Sequence, residues 1–353
     1  MILQIRMKNF LILIVFISLF ACKEEPIEAL FSSNKNDIQS SKLIDPSDLM
    51  KEMNADFSHN RIIQVSQANT YKKEHLPGAL NIWRPDYGSD NKNPFGGLMA
   101  SKEKIEKLLG KMGATQKTVL YLYDTKGNVD ACRFAWVLKY YGFTNYFIIN
   151  GGIKYWKSLG YPTDSLSVDW PDSTSLALSG KWQEEMSATF EDVKNAIDDE
   201  QTIIIDTRED YEYLGQPFIH KNKLYKHKKG AFTHGAIPSA IHLNWSTLSD
   251  LTGDHRIKSE QDIRHDLKQK GITADKNIIL YCQSGSRTSH TYFVLKEILG
   301  FPNVSNYDGS WIEWSYNNSI DSSVPLWQQT DSLQFFELYS NLEKELIKDD
   351  EVH

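Results

Sequence analysis

The sequence predicts an α/β protein of two related domains, each a parallel sheet with helices on both faces. Two observations carry this. The first is an internal repeat. Ser101 and Ile105 recur 158 residues later as Ser259 and Ile263. At the same spacing Leu109 meets Leu267, Gly113 meets Gly271, and Leu122-Tyr123 meets Leu280-Tyr281. Gly127 meets Gly285, Gly142-Phe143 meets Gly300-Phe301, and Trp156 meets Trp314, with no gap between Ser101 and Trp156. Upstream the register shifts, and His75-Leu76-Pro77-Gly78-Ala79 matches Ala236-Ile237-Pro238-Ser239-Ala240. A repeat of this length sets the architecture before any single element is assigned. The second observation is that short apolar runs alternate with amphipathic stretches inside each copy, the pattern of α/β units.

The elements follow from periodicity. Ile62–Val65, Val119–Tyr123, Ile203–Asp206 and Ile278–Tyr281 are apolar on successive residues, as in parallel strands buried on both faces. Lys102–Lys111 and Glu260–Lys270 are amphipathic and run toward Gly113 and Gly271, residues that stop helices. A further helical stretch spans His290–Leu299. The tail Asp331–Leu346 carries Leu333, Phe336, Leu338, Leu342 and Leu346 and is expected to pack on the body, with Lys348–His353 frayed.

Length and composition bound the function. A chain of 353 residues holds two domains of ordinary size. Its 41% apolar and 24% charged residues are those of a globular protein. A net charge of −7 argues against a nucleic-acid partner. Three cysteines exclude a disulfide scaffold or a thiolate zinc site, and the ten histidines show no metal-ligand spacing, so neither metal nor cofactor is expected.

The N-terminus reads as a targeting segment over 1–21. Arg6 and Lys8 precede an apolar stretch, Phe10–Phe20, whose roughly 11 residues are too few to span a bilayer. Leu19-Phe20-Ala21-Cys22 resembles the lipobox of bacterial lipoproteins, which implies cleavage before Cys22 and lipidation of that cysteine. The expected location is the cell envelope of a bacterium, lipid-anchored on the periplasmic face or the cell surface. Lys23-Glu24-Glu25 resembles acidic sorting signals of surface lipoproteins. A tether over 22–40, domains over 41–165 and 187–328, a linker over 166–186 and a helical tail over 329–353 complete the organisation.

The chemistry is concentrated after the central strand of the second copy, where reactive groups of such sheets lie. There Cys282-Gln283-Ser284-Gly285-Ser286-Arg287-Thr288-Ser289 forms a small polar loop that opens a helix. Loop N–H groups and a helix N-terminus favour negative charge, which lowers a thiol pKa and makes the thiolate a nucleophile. Gly285 lets the loop curl around the sulfur. In the first copy Asp124 stands at the position of Cys282, Val129 at that of Arg287, and Gln67 about at that of Arg208. That copy keeps packing residues and loses the reactive ones.

Four segments in order resemble a tandem rhodanese, a sulfurtransferase family. They are Ile205-Asp206-Thr207-Arg208 with Tyr213-Leu214-Gly215, His234–Ala240, Tyr281–Ser289, and Tyr307-Asp308-Gly309-Ser310-Trp311-Ile312-Glu313-Trp314. The resemblance implies two rhodanese-like domains, the second catalytic. It implies a persulfide on Cys282, held by a loop of Gln283, Ser284, Gly285, Ser286 and Thr288. Arg208 and Arg287 are implied as contacts for a small anionic sulfur donor or as braces of the loop. The acceptor would be a thiol or cyanide, and the chain a monomer that completes its site alone.

The loop departs from two-domain relatives that use 3-mercaptopyruvate, which carry Cys-Gly-Ser/Thr-Gly-Val-Thr. It resembles that of single-domain thiosulfate enzymes, so thiosulfate or a similar donor is expected before mercaptopyruvate. Two other readings stand beside it. One is a docking or sulfur-carrier protein without turnover. The other is a Cys-based phosphatase, which needs five residues between Cys and Arg where this loop has four. The lysine-rich Lys221–Lys229 lies in an insertion absent from the first copy and is expected near the site mouth. His234 and His242 lie near the Pro238 turn and are expected to serve packing before substrate contact, and Cys132 is placed in the core.

Overall fold

The computed structural model describes residues 42–178 and 183–351, with side chains to residue 346. The expected signal peptide, Cys22, the Lys23-Glu24-Glu25 signal and the tether lie outside the described residues. No helix among the described residues is long and apolar enough to cross a membrane.

The first domain contains β1 (Leu43–Ile44), α1 (Pro46–Met53), β2 (Arg61–Val65), α2 (Ala68–Tyr71), β3 (Leu80–Ile82) and α3 (Arg84–Tyr87). It continues with α4 (Lys102–Lys111), β4 (Leu120–Tyr123), α5 (Val129–Tyr140), β5 (Tyr146–Ile149) and α6 (Gly152–Ser158). The second domain contains β6 (Ser187–Ala188), α7 (Phe190–Ala196), β7 (Thr202–Asp206), α8 (Asp210–Tyr213), β8 (Phe218–His220), β9 (Lys223–Tyr225) and β10 (Ile241–His242). It closes with α9 (Glu260–Gln269), β11 (Asn277–Tyr281), α10 (Ser286–Tyr292), β12 (Val304–Tyr307), α11 (Ser310–Ile320) and the tail helix α12 (Ser332–Glu351).

Each domain holds a five-stranded sheet, every pairing of which is parallel. The orders are β1-β5-β4-β2-β3 and β10-β7-β11-β12-β6, the same order read from opposite edges. Registers also correspond. Ile63 pairs with Leu122 and Leu80, as Ile205 pairs with Leu280 and Ile241. This register corrects one sequence alignment. Gln64 is the counterpart of Asp206, so Ser66, not Gln67, stands where Arg208 stands. Gln67 instead caps α2, as Glu209 caps α8.

The two domains share one core. Helices α5 and α10 pack against each other. Phe134, Trp136 and Leu138 of α5 are buried in the same apolar cluster as Tyr292 of α10 and Val294 and Leu295 beyond it. Each such side chain is worth about 1.5–3 kcal/mol relative to exposure. Lys139 and Glu297, which occupy the same place in the two repeats, form a largely buried ion pair. Equivalent positions meet in this way only beside a twofold axis. The repeats are therefore arranged about a local pseudo-twofold axis.

The linker lies along the first domain. Leu176 and Leu178 are buried, Thr174 donates its hydroxyl to the Ala114 carbonyl at 2.5 Å, and the Lys111 ammonium sits 4.3 Å from the Trp170 ring centre. The tail helix departs from expectation. Its apolar residues Leu333, Phe336 and Leu338 are exposed, and Phe335 is buried instead. A full apolar stripe would need a broad surface to cover it. Here the helix meets the body through Phe335, whose ring stacks on His234 at 4.4 Å between centroids, and through the β8–β9 hairpin, where the Lys226 ammonium lies 5.6 Å from the Tyr339 ring centre.

Candidate active site

Strand β11 is buried from Ile278 to Tyr281 and delivers Cys282 at its carboxyl end. The turn that follows depends on Gly285 for two reasons. Its φ is +82°, and a Cβ there would lie 2.6 Å from Arg133 Nη1 and 2.8 Å from Asp308 Oδ1. The helix α10 begins at the next residue.

The loop turns its N–H groups inward because its carbonyls are engaged elsewhere. The N–H of Trp311 donates to the Cys282 carbonyl at 2.9 Å and that of Ile312 to the Gln283 carbonyl at 3.2 Å. Thr288 and Ser289 donate their hydroxyls to the Gly285 carbonyl at 2.8 and 2.6 Å. The Cys282 N–H donates to Ser310 Oγ at 3.2 Å. That leaves the N–H groups of Ser284, Arg287 and Thr288 aimed at the sulfur, with Thr288 Oγ1 at 3.9 Å.

The sulfur is 1% exposed at residue level. Such burial alone would push its thiol pKa up. The positive charge of Arg287 and the N–H groups of Thr288, Ser284 and Arg287 outweigh it and hold the thiol below its ordinary value. Cys132, equally buried but without a cation, shows the contrast: burial and then Asp124 drive its thiol well up.

Both predicted arginines are ion-paired. Arg208 binds Asp206 through Nε at 2.9 and 3.0 Å and through Nη2 at 2.6 Å, and Nη2 also donates to the Gly235 carbonyl at 2.7 Å. Its guanidinium lies 4.5 Å from the Trp311 ring centre. Arg287 donates to Glu212 at 2.5 and 3.0 Å in a two-pronged contact and has Glu209 at 3.7 Å. Burial would raise the Glu212 carboxyl, but Arg287 and then Lys228 bring it down to about 2. Arg287 thus lends its charge to Cys282 while Glu212 fixes its position.

The lysine-rich insertion forms the antiparallel hairpin β8–β9 and reaches the site. Lys228 contacts Glu212 at 3.3 Å, and Gln283 donates to the Lys229 carbonyl at 3.3 Å. A narrow pocket with a volume of about 10 Å³ lies among Arg208, Lys226, Lys228, His234, Gln283 and Trp311. His234 therefore lines the pocket. His242 turns its Nε2 to the Arg208 carbonyl at 2.9 Å.

The first domain supplies the opposite wall. Arg133 on α5 pairs with Asp308 at 2.5 Å, and the Met99 N–H donates to Asp308 Oδ2 at 2.9 Å. A Cβ on Gly97 would lie 2.9 Å from Ser284 Cβ, so the segment after α3 closes directly on the loop.

Comparison with known proteins identifies the family. The family described as rhodanese-like domain matches residues 45–159 and 189–317, one match in each half. The chain belongs to the rhodanese family. Thiosulfate sulfurtransferase of Azotobacter vinelandii is 31% identical over 284 residues, 80% of this chain and 97% of that protein. Sulfur carrier protein TtuD of Thermus thermophilus is 31% identical over 262 residues, 72% of this chain and 87% of its own length. Among solved structures, an anaerobic ergothioneine biosynthesis enzyme from Chlorobium limicola superimposes with a TM-score of 0.67 at 22% identity, covering 82% of this chain and 71% of that one. The last comparison speaks for the fold.

Sequence reading missed two features of this rhodanese site. Glu212 lies 75 residues from the arginine it holds, and nothing local marks it. Ser310 has φ +50°, unusual for a side-chain-bearing residue, and stands where the first domain has Gly152 at φ +53°. The repeat held that signal: a serine retained at a glycine position, where it faces Cys282.

Proposed function

We propose that this protein is a sulfurtransferase that carries a sulfane sulfur on Cys282, with thiosulfate or a similar inorganic donor as its substrate. The observation that carries the reading is the ring of three N–H groups and the Arg287 charge around one buried sulfur. The Cys282 thiolate attacks the outer sulfur of the donor. An S–S bond forms to Cys282, the donor's own S–S bond breaks, and sulfite leaves with the bonding pair. The terminal sulfur of the persulfide carries the negative charge into the N–H ring. A cyanide or thiol acceptor then attacks that sulfur, and the Cys282–sulfur bond breaks to restore the thiolate. The names of the A. vinelandii and T. thermophilus relatives support such carriage.

The phosphatase reading loses support from geometry as well as loop length. Both guanidinium prongs of Arg287 are held by Glu212, so they are not free to clamp a tetrahedral oxyanion.

The test is intact mass of the purified protein after thiosulfate and then after cyanide. Wild type is expected to gain one sulfur and lose it as thiocyanate, and Cys282→Ser to gain none. A gain from 3-mercaptopyruvate only would overturn the donor. No gain from either, in folded protein with a free thiol, would overturn the function.

We also propose that Cys22 is acylated and holds the protein in the cell envelope, consistent with its position after the short apolar segment. Wild type should then partition with detergent and Cys22→Ala with the aqueous phase. Equal partitioning of the two would sink the proposal.

A further inference from the structure

An anionic donor approaching Cys282 needs a cation that it can reach. Arg208 and Arg287 are poor candidates. Their side chains are only 2% and 11% exposed. A third arginine stands differently. Arg84, the first residue of α3 in the other domain, is 49% exposed. Its Nε and Nη2 bind Asp130 Oδ1 at 2.8 and 2.6 Å, and Nη1 has no protein partner among the described residues. Asp130 is itself buried in the first turn of α5. The side chain is therefore held from behind by Asp130, with its guanidinium 5.2 Å from the Trp83 ring centre, and Nη1 is left for a ligand.

The pseudo-twofold arrangement shows where it is aimed. Leu80 and Ile241 occupy the same register, so Arg84 corresponds to Trp245, the first residue of the helical turn after β10. Trp245 crosses to the first domain's loop and comes within 3.7 Å of where a Cβ on Gly127 would be. By the same geometry Arg84 overlooks the loop of Cys282, on the segment whose Gly97 closes on Ser284. The charges agree with the geometry, since the Cys282 thiolate is among the groups that stabilise the Arg84 cation.

We infer that Arg84, supplied by the domain without a nucleophile, is the contact that receives the anionic end of the sulfur donor. This rests on the sulfur-transfer reading of Cys282. Arg84 and Asp130 belong to the same domain, so the pair does not tie the domains together. Its loss leaves the buried Asp130 unpaired within the first domain but does not free one wall from the other.

The experiment compares Arg84→Gln and Arg84→Lys with wild type in two assays. In steady-state transfer from thiosulfate to cyanide, Arg84→Gln should raise KM about tenfold, the size of one charged hydrogen bond, and Arg84→Lys should recover most of it. In alkylation of Cys282, the ratio of the iodoacetate rate to the iodoacetamide rate should fall in Arg84→Gln. The two reagents differ chiefly in charge, so this readout does not depend on turnover. An unchanged KM together with an unchanged rate ratio would overturn the assignment. Wild-type protein that never gains sulfur from thiosulfate would overturn the sulfur-transfer reading, and the inference with it. The missing sulfur tells that failure apart.

Discussion

The loops Asp124–Ala131 and Cys282–Ser289 occupy the same place in the two repeats and have opposite contents. In the first, Asp124 Oδ1 accepts from the N–H groups of Lys126 and Asn128 at 2.6 and 2.8 Å, and Oδ2 from Asp130 and Ala131 at 2.7 and 3.3 Å. Burial, then the Asp130 charge, raises this carboxyl to about 6 despite those bonds. In the second, N–H groups at two of the same places, Ser284 and Thr288, face a sulfur. The first loop is an anion site filled by its own chain, and the second holds a sulfur that is exchanged.

The supporting pairs diverged along with the loops. Tyr281 donates to Asp206 at 2.6 Å, and Tyr123 donates to Gln64 at 2.6 Å. Where Asp206 binds Arg208, Gln64 donates to Ser66 at 2.9 Å. Where Arg287 binds Glu212, the first domain has Val129 and Thr70. The scaffold is thus independent of its charges, and the charges came or went as sets.

The sharpest way to break this comparison is to put a thiol in the filled loop. In Asp124→Cys combined with Cys282→Ser, the new thiol has N–H donors but no Arg287, and it keeps Asp130 nearby. We predict no sulfur gain after thiosulfate by intact mass. A gain would show that the N–H ring alone suffices.

A smaller effect follows from removing the charge in the working loop. Arg287→Met should cost about 3–5 kcal/mol by denaturant unfolding, since it strands Glu212 in a buried site. Arg287→Met with Glu212→Leu should recover most of that stability. In both, the midpoint of thiolate absorbance against pH should rise; an unmoved midpoint would remove Arg287 from thiol activation. The pH dependence has a definite sign. Glu212 titrates at about 2 when folded, below its free value, so its contribution is present above the free value and lost as pH falls toward 2. Glu212→Gln should flatten that acid limb.

The smallest effect concerns Ser310. Ser310→Gly copies the first domain. Relief of the positive φ, about 1 kcal/mol, should offset the lost contact to the Cys282 N–H, leaving the melting temperature nearly unchanged. Transfer should slow several-fold. Full activity would make Ser310 a packing residue.

The parts that were legible in the sequence are those encoded locally or by repetition. The strand runs around Ile63 and Ile279 and the loop of Cys282 announced themselves by pattern and by the Gly127–Gly285 match. Pairings between distant segments did not. Glu212 reaches Arg287, and Arg133 reaches Asp308, only after the sheets are assembled. The tail misled for a related reason. Leu333, Phe336 and Leu338 form a periodic stripe, but periodicity says which face is apolar and not whether a surface exists to meet it.

The Lys139–Glu297 pair also constrains association. Two copies of the first domain docked through α5 would set ammonium against ammonium, and two copies of the second would set carboxylate against carboxylate, each in a nearly dry interface. Only unlike halves neutralise each other. A duplicated ancestor with identical halves would have lacked that discrimination. The divergence at this one position commits each half to an unlike half rather than to a copy of itself.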